Sequence, residues 1–152
     1  MAEGILKVLL ESKERPNLSR SNIDVSSAGT AAYFQSGATG EAIEVARGYG
    51  VDLSLHRSRL LNKKMIEDAD LILTMEFKHK EIVRRMVPAA AGKIFLLKEY
   101  VNTGDAELED KWELEITDPI GLGFPAYEKC AEEILQALKK LIRMLDEMET
   151  WC

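Results

Sequence analysis

The chain contains 152 residues, a length typical of one domain with a substantial hydrophobic core. Its formal net charge of −6 argues against binding to nucleic acid or to an anionic membrane, because either partner would require a basic face. No apolar run approaches the roughly 20 residues of a membrane span, and the N-terminus lacks a signal-peptide pattern, so we expect a cytoplasmic protein.

The first half of the chain predicts helices alternating with strands. Amphipathic or capped patterns predict helices at residues 1–14, 37–50 and 62–68. A short alternating run predicts a strand at residues 23–25. The continuous apolar run at residues 70–75 predicts a strand that is covered on both faces.

The second half continues the same alternation. A helix is predicted at residues 77–87, where Pro88 ends it, and a buried strand follows at 93–98. The acidic stretch 102–115 predicts a loop that is either solvated or poorly ordered. Pro125 suits the first turn of a long final helix. The predicted apolar stripe of that helix consists of Tyr127, Ala131, Ile134, Leu135, Leu138, Leu141, Ile142, Leu145 and Met148. Such alternation implies a parallel sheet with helices on both faces and ligands beyond the carboxyl ends of the strands.

The two cysteines do not suggest a disulfide or a metal site. Cys130 and Cys152 are 22 positions apart in or just after one helical pattern, which corresponds to about 33 Å along a helix. A disulfide requires Cα atoms within about 7 Å. Neither cysteine has a histidine or cysteine partner at metal-ligand spacing, so we expect no metal and no cofactor.

Five stretches, in chain order, together carry a family resemblance. They are VSSAGT, GVDLSLHRSR, DADLILTMEFKHKE, KIFLLKEY and ITDPIG. With them the chain resembles the low-molecular-weight protein-tyrosine phosphatases, a group that includes protein-arginine phosphatases and related arsenate reductases. The resemblance implies one domain over residues 1–152 with a three-layer α/β/α fold and a parallel sheet.

In that family a central strand precedes a helix like the one that begins MAEG, and the strand ends in a phosphate-binding loop of the form Cys-x5-Arg-Ser/Thr-Pro. The cysteine thiolate attacks phosphorus, and the arginine holds two phosphoryl oxygens. Neither residue is present here at the family's position, and Cys130 is followed by Gln136 where such a loop would need arginine. We therefore expect an N-terminally truncated domain without its central first strand, inactive as written.

The resemblance assigns roles to four residues that remain. Asp118 would protonate the leaving group and then activate water; alone, an Asp-Pro pair is also a common turn opener. Ser27 and His56 would support the phosphate-binding loop, although a serine in a turn and a histidine bonded to a carbonyl are equally good interpretations. Ile120 follows Asp-Pro, where many tyrosine-directed members have an aromatic residue, and this weakens the phosphotyrosine assignment and leaves phosphoarginine or another small phosphate ester open.

Two functional hypotheses follow from these residues. In the first, the natural product is an intact phosphatase acting on phosphorylated protein or a small phosphate ester, and the sequence starts at an internal methionine. In the second, the chain is a catalytically silent binding or scaffold protein derived from the same fold. Arsenate reduction is disfavoured, because the stretch EFKHKEIVRRM contains no cysteine. A homodimer that shares a strand between copies remains open.

Overall fold

A computed structural model describes residues 1–11, 23–31, 36–102 and 111–149. The chain divides into two compact units that are each built from several segments. Unit 1 comprises residues 1–27, 37–57 and 119–152, and unit 2 comprises residues 28–36 and 58–118.

Helices dominate both units. Among the described residues the α-helices are α1 (Ala2–Glu11), α2 (Gly40–Gly48), α3 (Lys63–Asp68), α4 (Phe77–Met86), α5 (Leu97–Val101) and α6 (Phe124–Glu149). Strands β1 (Ile72–Thr74) and β2 (Ile94–Leu96) form a parallel pair with Ile72 opposite Ile94. Two 3₁₀ helices span Pro88–Lys93 and Lys111–Leu114. Within the described ranges, no helix has both the length and the apolar character needed to cross a bilayer.

Local signals in the sequence explain where several helices begin. The Thr39 hydroxyl accepts a hydrogen bond from the Ala42 N–H at 3.2 Å and so caps α2. Asn62 caps α3 in the same way, through the Met65 N–H at 3.0 Å. Pro88 stands at the start of the 3₁₀ helix that follows α4, where its missing N–H costs no hydrogen bond.

The core of unit 1 forms where α1 and α2 pack on α6. Val45 of α2 packs with Tyr127 and Ala131 of α6, and Ile5 of α1 is also fully buried. The buried residues of α6 are Tyr127, Cys130, Ala131, Ile134, Ala137, Leu138, Leu141 and Ile142. The predicted stripe is therefore largely confirmed, but Met148 at its end is 60% exposed.

The core of unit 2 lies beside the parallel strand pair. Ile66 of α3, Val83 of α4 and Ile94 of β2 form one buried cluster with Ala90. Thr74 at the end of β1 is buried, and its hydroxyl donates to the Phe95 carbonyl at 3.2 Å. This unit holds β1 and β2 with their carboxyl ends directed toward α4 and α5, the helices that follow each strand.

Several sequence predictions need correction. The strand predicted at residues 23–25 is wrong: residues 23–28 have no regular secondary structure, and a strand needs a hydrogen-bonded neighbour that an alternating pattern cannot supply. An isolated parallel bridge instead joins Gly29 to Leu60. The strand predicted at 70–75 is shorter and only partly buried, and α5 was not predicted. Of the predicted loop at 102–115, residues 103–110 lie outside the described part of the chain.

Candidate active site

The segment before Asp118 is held to the rest of unit 2 by three hydrogen bonds. The Ile116 N–H donates to the Met75 carbonyl, just after β1, at 2.8 Å, and the Ile116 side chain is only 2% exposed. Glu115 Oε1 accepts a hydrogen bond from the Phe77 N–H at 2.6 Å, and the Glu115 carbonyl accepts one from Lys98 Nζ at 3.0 Å. Asp118 follows two residues later with its side chain exposed. The carboxylate is thus exposed at the surface, directly after a segment that is held by hydrogen bonds.

Three charged or titratable side chains lie close together at the start of α4, the helix end to which Glu115 is bonded. Lys78 Nζ lies 2.7 Å from Glu76 Oε2, and His79 Nδ1 lies 3.5 Å from the same oxygen. The pKa of Lys78 is raised, first by its hydrogen bond to Glu76 and by the charge of that carboxylate, and further by the charges of Asp118 and Glu115. The Lys78 ammonium therefore lies within electrostatic range of the Asp118 carboxylate.

The residues directly after Asp118 belong to unit 1 and form a tight turn. The Leu122 N–H donates to the Pro119 carbonyl at 3.0 Å. Gly121, the third residue of this turn, has a φ of 78°, the left-handed conformation that a type II turn requires and glycine adopts without strain. Ile120 stands at the tip of the turn and is 66% exposed. The turn thus exposes an aliphatic side chain at the position where many tyrosine-directed phosphatases have an aromatic one.

Ser27 and His56 both belong to unit 1. The Ser27 hydroxyl donates to Glu3 Oε2 at 2.5 Å, and Glu3 in turn pairs with Lys7 at 2.6 Å. His56 is exposed, and its backbone N–H donates to the Leu53 carbonyl at 3.1 Å. Its carbonyl accepts a hydrogen bond from Arg57 Nη1 at 2.8 Å, which holds the chain in a compact loop.

The structure assigns the predicted residues to different units. Ser27, His56 and Ile120 lie in unit 1, whereas Asp118 is the last residue of unit 2. Glu115 was missed by the sequence analysis, although it stands three residues before Asp118. Its partner Phe77 is 38 positions away, so no local pattern could have revealed the contact. In the part of the chain that the structure describes, no cluster of three or more histidine, cysteine or carboxylate side chains could hold a metal ion.

Comparisons with known proteins agree with the resemblance in the sequence. A family model described as low molecular weight phosphotyrosine protein phosphatase matches residues 1–150, a range that includes both units. A protein-arginine-phosphatase of Bacillus subtilis is 31% identical over 145 residues, which cover 95% of this chain and 87% of the relative.

Solved structures show the same likeness. One is described as YwlE arginine phosphatase, a Cys→Ser mutant with a phosphorylated active site serine; it has a TM-score of 0.79 at 30% identity, over 95% of this chain and 85% of its own. The tyrosine phosphatase Wzb from Escherichia coli K30, in complex with sulphate, has a TM-score of 0.74 at 30% identity, over 95% and 87% of the two chains.

Fold and comparisons together place the chain among the α/β proteins of a protein phosphatase family. The chain belongs to the low molecular weight phosphotyrosine protein phosphatase family, whose members include tyrosine and arginine phosphatases. The predicted family and the predicted three-layer α/β/α fold with a parallel sheet are both confirmed.

Proposed function

We propose that this chain carries the acid part of a protein phosphatase site, with Asp118 as general acid and then general base. The observation that carries the proposal is the attachment of the ITDPIG segment: Ile116 is buried and bonded to Met75, while Asp118 stays exposed two residues later. A proton donor must be accessible to substrate and yet held in place.

In the proposed reaction, a cysteine thiolate of a Cys-x5-Arg loop attacks phosphorus while the bond to the leaving oxygen or nitrogen breaks. Asp118 gives its proton to that leaving atom. Water then attacks the phosphocysteine, the Asp118 carboxylate takes the proton of that water, and phosphate and thiolate are released. In one relative the active-site cysteine is replaced by serine, and that serine is phosphorylated. This supports a covalent phosphoryl intermediate at the cysteine position.

The nucleophile does not come from these 152 residues in our proposal. The chain has two cysteines, and neither is followed by arginine six positions later. We therefore propose that the chain alone is catalytically silent and that turnover requires a segment carrying the phosphate-binding loop. The second candidate function, a silent binding or scaffold protein, rests on the same observation.

We assign Ser27 and His56 to support of that loop. The Ser27 hydroxyl donates its proton to Glu3 in the first turn of α1, so a loop that leads into α1 would lie close to this serine. The exposed His56 ring has two nitrogens, and its backbone is held by Leu53 and Arg57, which leaves the ring available for such a bond.

Phosphoarginine is the substrate that these residues favour over phosphotyrosine. A phenyl ring is best held between aromatic side chains, whereas Ile120 offers only aliphatic surface at the tip of the turn. The Bacillus subtilis relative that covers 95% of this chain is a protein-arginine-phosphatase. We propose that residues 1–152 belong to a single domain.

The test compares the 152-residue protein with a fusion in which a strand and a Cys-x5-Arg-Ser/Thr-Pro loop precede Met1. Phosphate release from phosphoarginine and phosphotyrosine peptides is measured for both proteins. The Asp118→Asn variant of the fusion is measured in the same way. We expect no turnover by the 152-residue protein, turnover by the fusion that favours phosphoarginine, and a loss of about 10²–10⁴-fold with Asp118→Asn. A folded fusion without activity would support the silent scaffold instead.

A further inference from the structure

Glu115 makes more contacts than its place in an acidic stretch suggests. We infer that Glu115 is a positioning residue for Asp118, because it attaches the segment that carries the acid to the first turn of α4 and to α5. This inference rests on the proposed role of Asp118 as the acid. The cysteine and arginine of the family act on the phosphoryl group itself, whereas Glu115 would act only through the backbone that leads to Asp118.

The first attachment uses the start of α4. The first N–H groups of a helix have no partner within the helix, and Glu76 at the N-cap position makes no side-chain cap hydrogen bond. The Glu115 carboxylate fills this role from 38 positions away, accepting the Phe77 N–H at 2.6 Å. A negative group at this end is also favoured by the helix dipole. The side chain of Glu115 is thereby held against α4.

The second and third attachments use the backbone of Glu115 and of its neighbour Ile116. The Glu115 carbonyl accepts a hydrogen bond from Lys98 Nζ of α5, and the Ile116 N–H donates to the Met75 carbonyl. Ile116 is buried, so its side chain prevents the segment from sliding along these partners. Only Thr117 separates this attachment from Asp118, which limits the Cα–Cα distance between Ile116 and Asp118 to about 7 Å.

The consequence is a restricted range of positions for the Asp118 carboxylate. An acid on a loop that moves freely would seldom reach the leaving atom, and the entropy of ordering it would be lost in each turnover. With Glu115 in place, this ordering is already present before substrate binds. The same contact keeps the segment beside Lys78. The charges of Asp118 and Glu115 help to raise the pKa of this lysine.

The test uses the 152-residue chain and needs no turnover. Backbone ¹⁵N order parameters of Thr117 and Asp118 are measured in wild type, Glu115→Ala, Glu115→Gln and Asn62→Ala. Asn62→Ala is the matched control, because it removes a helix cap in the same unit without touching the acid segment. We expect order parameters of about 0.85 in wild type and the control, and below about 0.6 in Glu115→Ala. Glu115→Gln keeps an acceptor for the Phe77 N–H, so it should retain the wild-type values.

Equal order parameters at Asp118 in Glu115→Ala and Asn62→Ala would overturn the inference. If Glu115→Ala does not fold, hydrogen exchange of wild type decides: the Phe77 amide, which donates to the Glu115 carboxylate, should exchange at least about 100-fold more slowly than in an unstructured peptide, and protection below about tenfold would refute the attachment. These measurements are independent of catalysis. An inactive fusion would therefore count against the proposed function, whereas a mobile Asp118 in wild type would count against the positioning role of Glu115.

Discussion

A Cβ atom placed on Gly4 would lie 2.3 Å from Cγ1 of Val51, closer than side chains approach one another. Gly4 is in α1, and Val51 is buried in the same unit just after α2. The absence of a side chain at position 4 therefore allows α1 to approach the rest of unit 1. We expect Gly4→Ala to lower the free energy of unfolding by about 1–2 kcal/mol, because overpacking outweighs the higher helix propensity of alanine.

Gly48→Ala is the matched control for this change. A Cβ atom on Gly48, at the end of α2, would meet no atom within 4 Å. Here only helix propensity changes, so urea unfolding should show a gain of up to about 0.5–1 kcal/mol. A Gly4→Ala protein as stable as wild type would show that α1 is not packed as described.

Thr39 and Tyr127 should be energetically coupled. The Thr39 hydroxyl caps α2 and also donates to the Tyr127 hydroxyl at 3.1 Å. Thr39→Ala should cost about 1–2 kcal/mol, since it removes the cap and leaves a buried phenol without this donor. A double-mutant cycle with Tyr127→Phe should give a coupling of at least about 0.5 kcal/mol; strictly additive effects would contradict the contact.

Glu99 should contribute stability at neutral pH that is lost in acid. Burial alone would raise the pKa of Glu99, but hydrogen bonds from Lys80 and from the Leu96 N–H, together with the charge of Lys80, lower it below its ordinary value of 4.5. Because the folded pKa is the lower one, ionised Glu99 favours the folded state. That contribution is fully present above the unfolded pKa and is lost as pH falls through the folded pKa.

The corresponding experiment is urea unfolding of wild type and Glu99→Gln at several pH values. At pH 6.5 the variant should be less stable by about 1 kcal/mol, a value that allows for solvent screening of this partly exposed pair. Near pH 3 the difference should approach zero. A difference that stays constant or grows in acid would show that the Lys80–Glu99 pair does not act through charge.

Two positions on the apolar stripe of α6 should respond very differently to truncation. Leu138 is 3% exposed, and Leu138→Ala should cost about 2–5 kcal/mol because it leaves a cavity. Met148 is exposed near the end of α6, so Met148→Ala should change stability by no more than about 0.5 kcal/mol. The free energy of unfolding is measured by thermal or urea unfolding. Similar losses of stability at both positions would contradict the exposure of Met148 and show that the core extends to the end of α6.

Much of the fold was predictable where the signal is local. The bounds of α3 and α4 follow from the cap at Asn62 and the break at Pro88, which act within one turn of the chain. The strand predicted at residues 23–25 failed because a strand depends on a neighbour. The apolar run at 93–98 likewise divides into β2 and α5, since Glu99 caps α5 through the Leu96 N–H at 2.9 Å.

The candidate site was predictable only in part, for a related reason. Asp118 could be proposed from the ITDPIG stretch, and Pro119 predicted that it lies outside regular structure. The contacts of Glu115 with Phe77 and Lys98 join segments distant in sequence, so they emerge only from the folded chain. The exposed position of Ile120 depends on Gly121 and its positive φ, which a sequence suggests but does not determine.

The most direct test of Asp118 as general acid is the dependence of kcat/KM on the leaving group. The value of kcat/KM is measured for the loop-bearing fusion and for its Asp118→Asn variant. One substrate is p-nitrophenyl phosphate, which has a good leaving group, and the other is phenyl phosphate, which has a poor one. Proton donation matters more for the poor leaving group, so the loss in Asp118→Asn should be at least about tenfold larger with phenyl phosphate. Equal losses with both substrates, or no loss, would contradict the role of Asp118 as the acid.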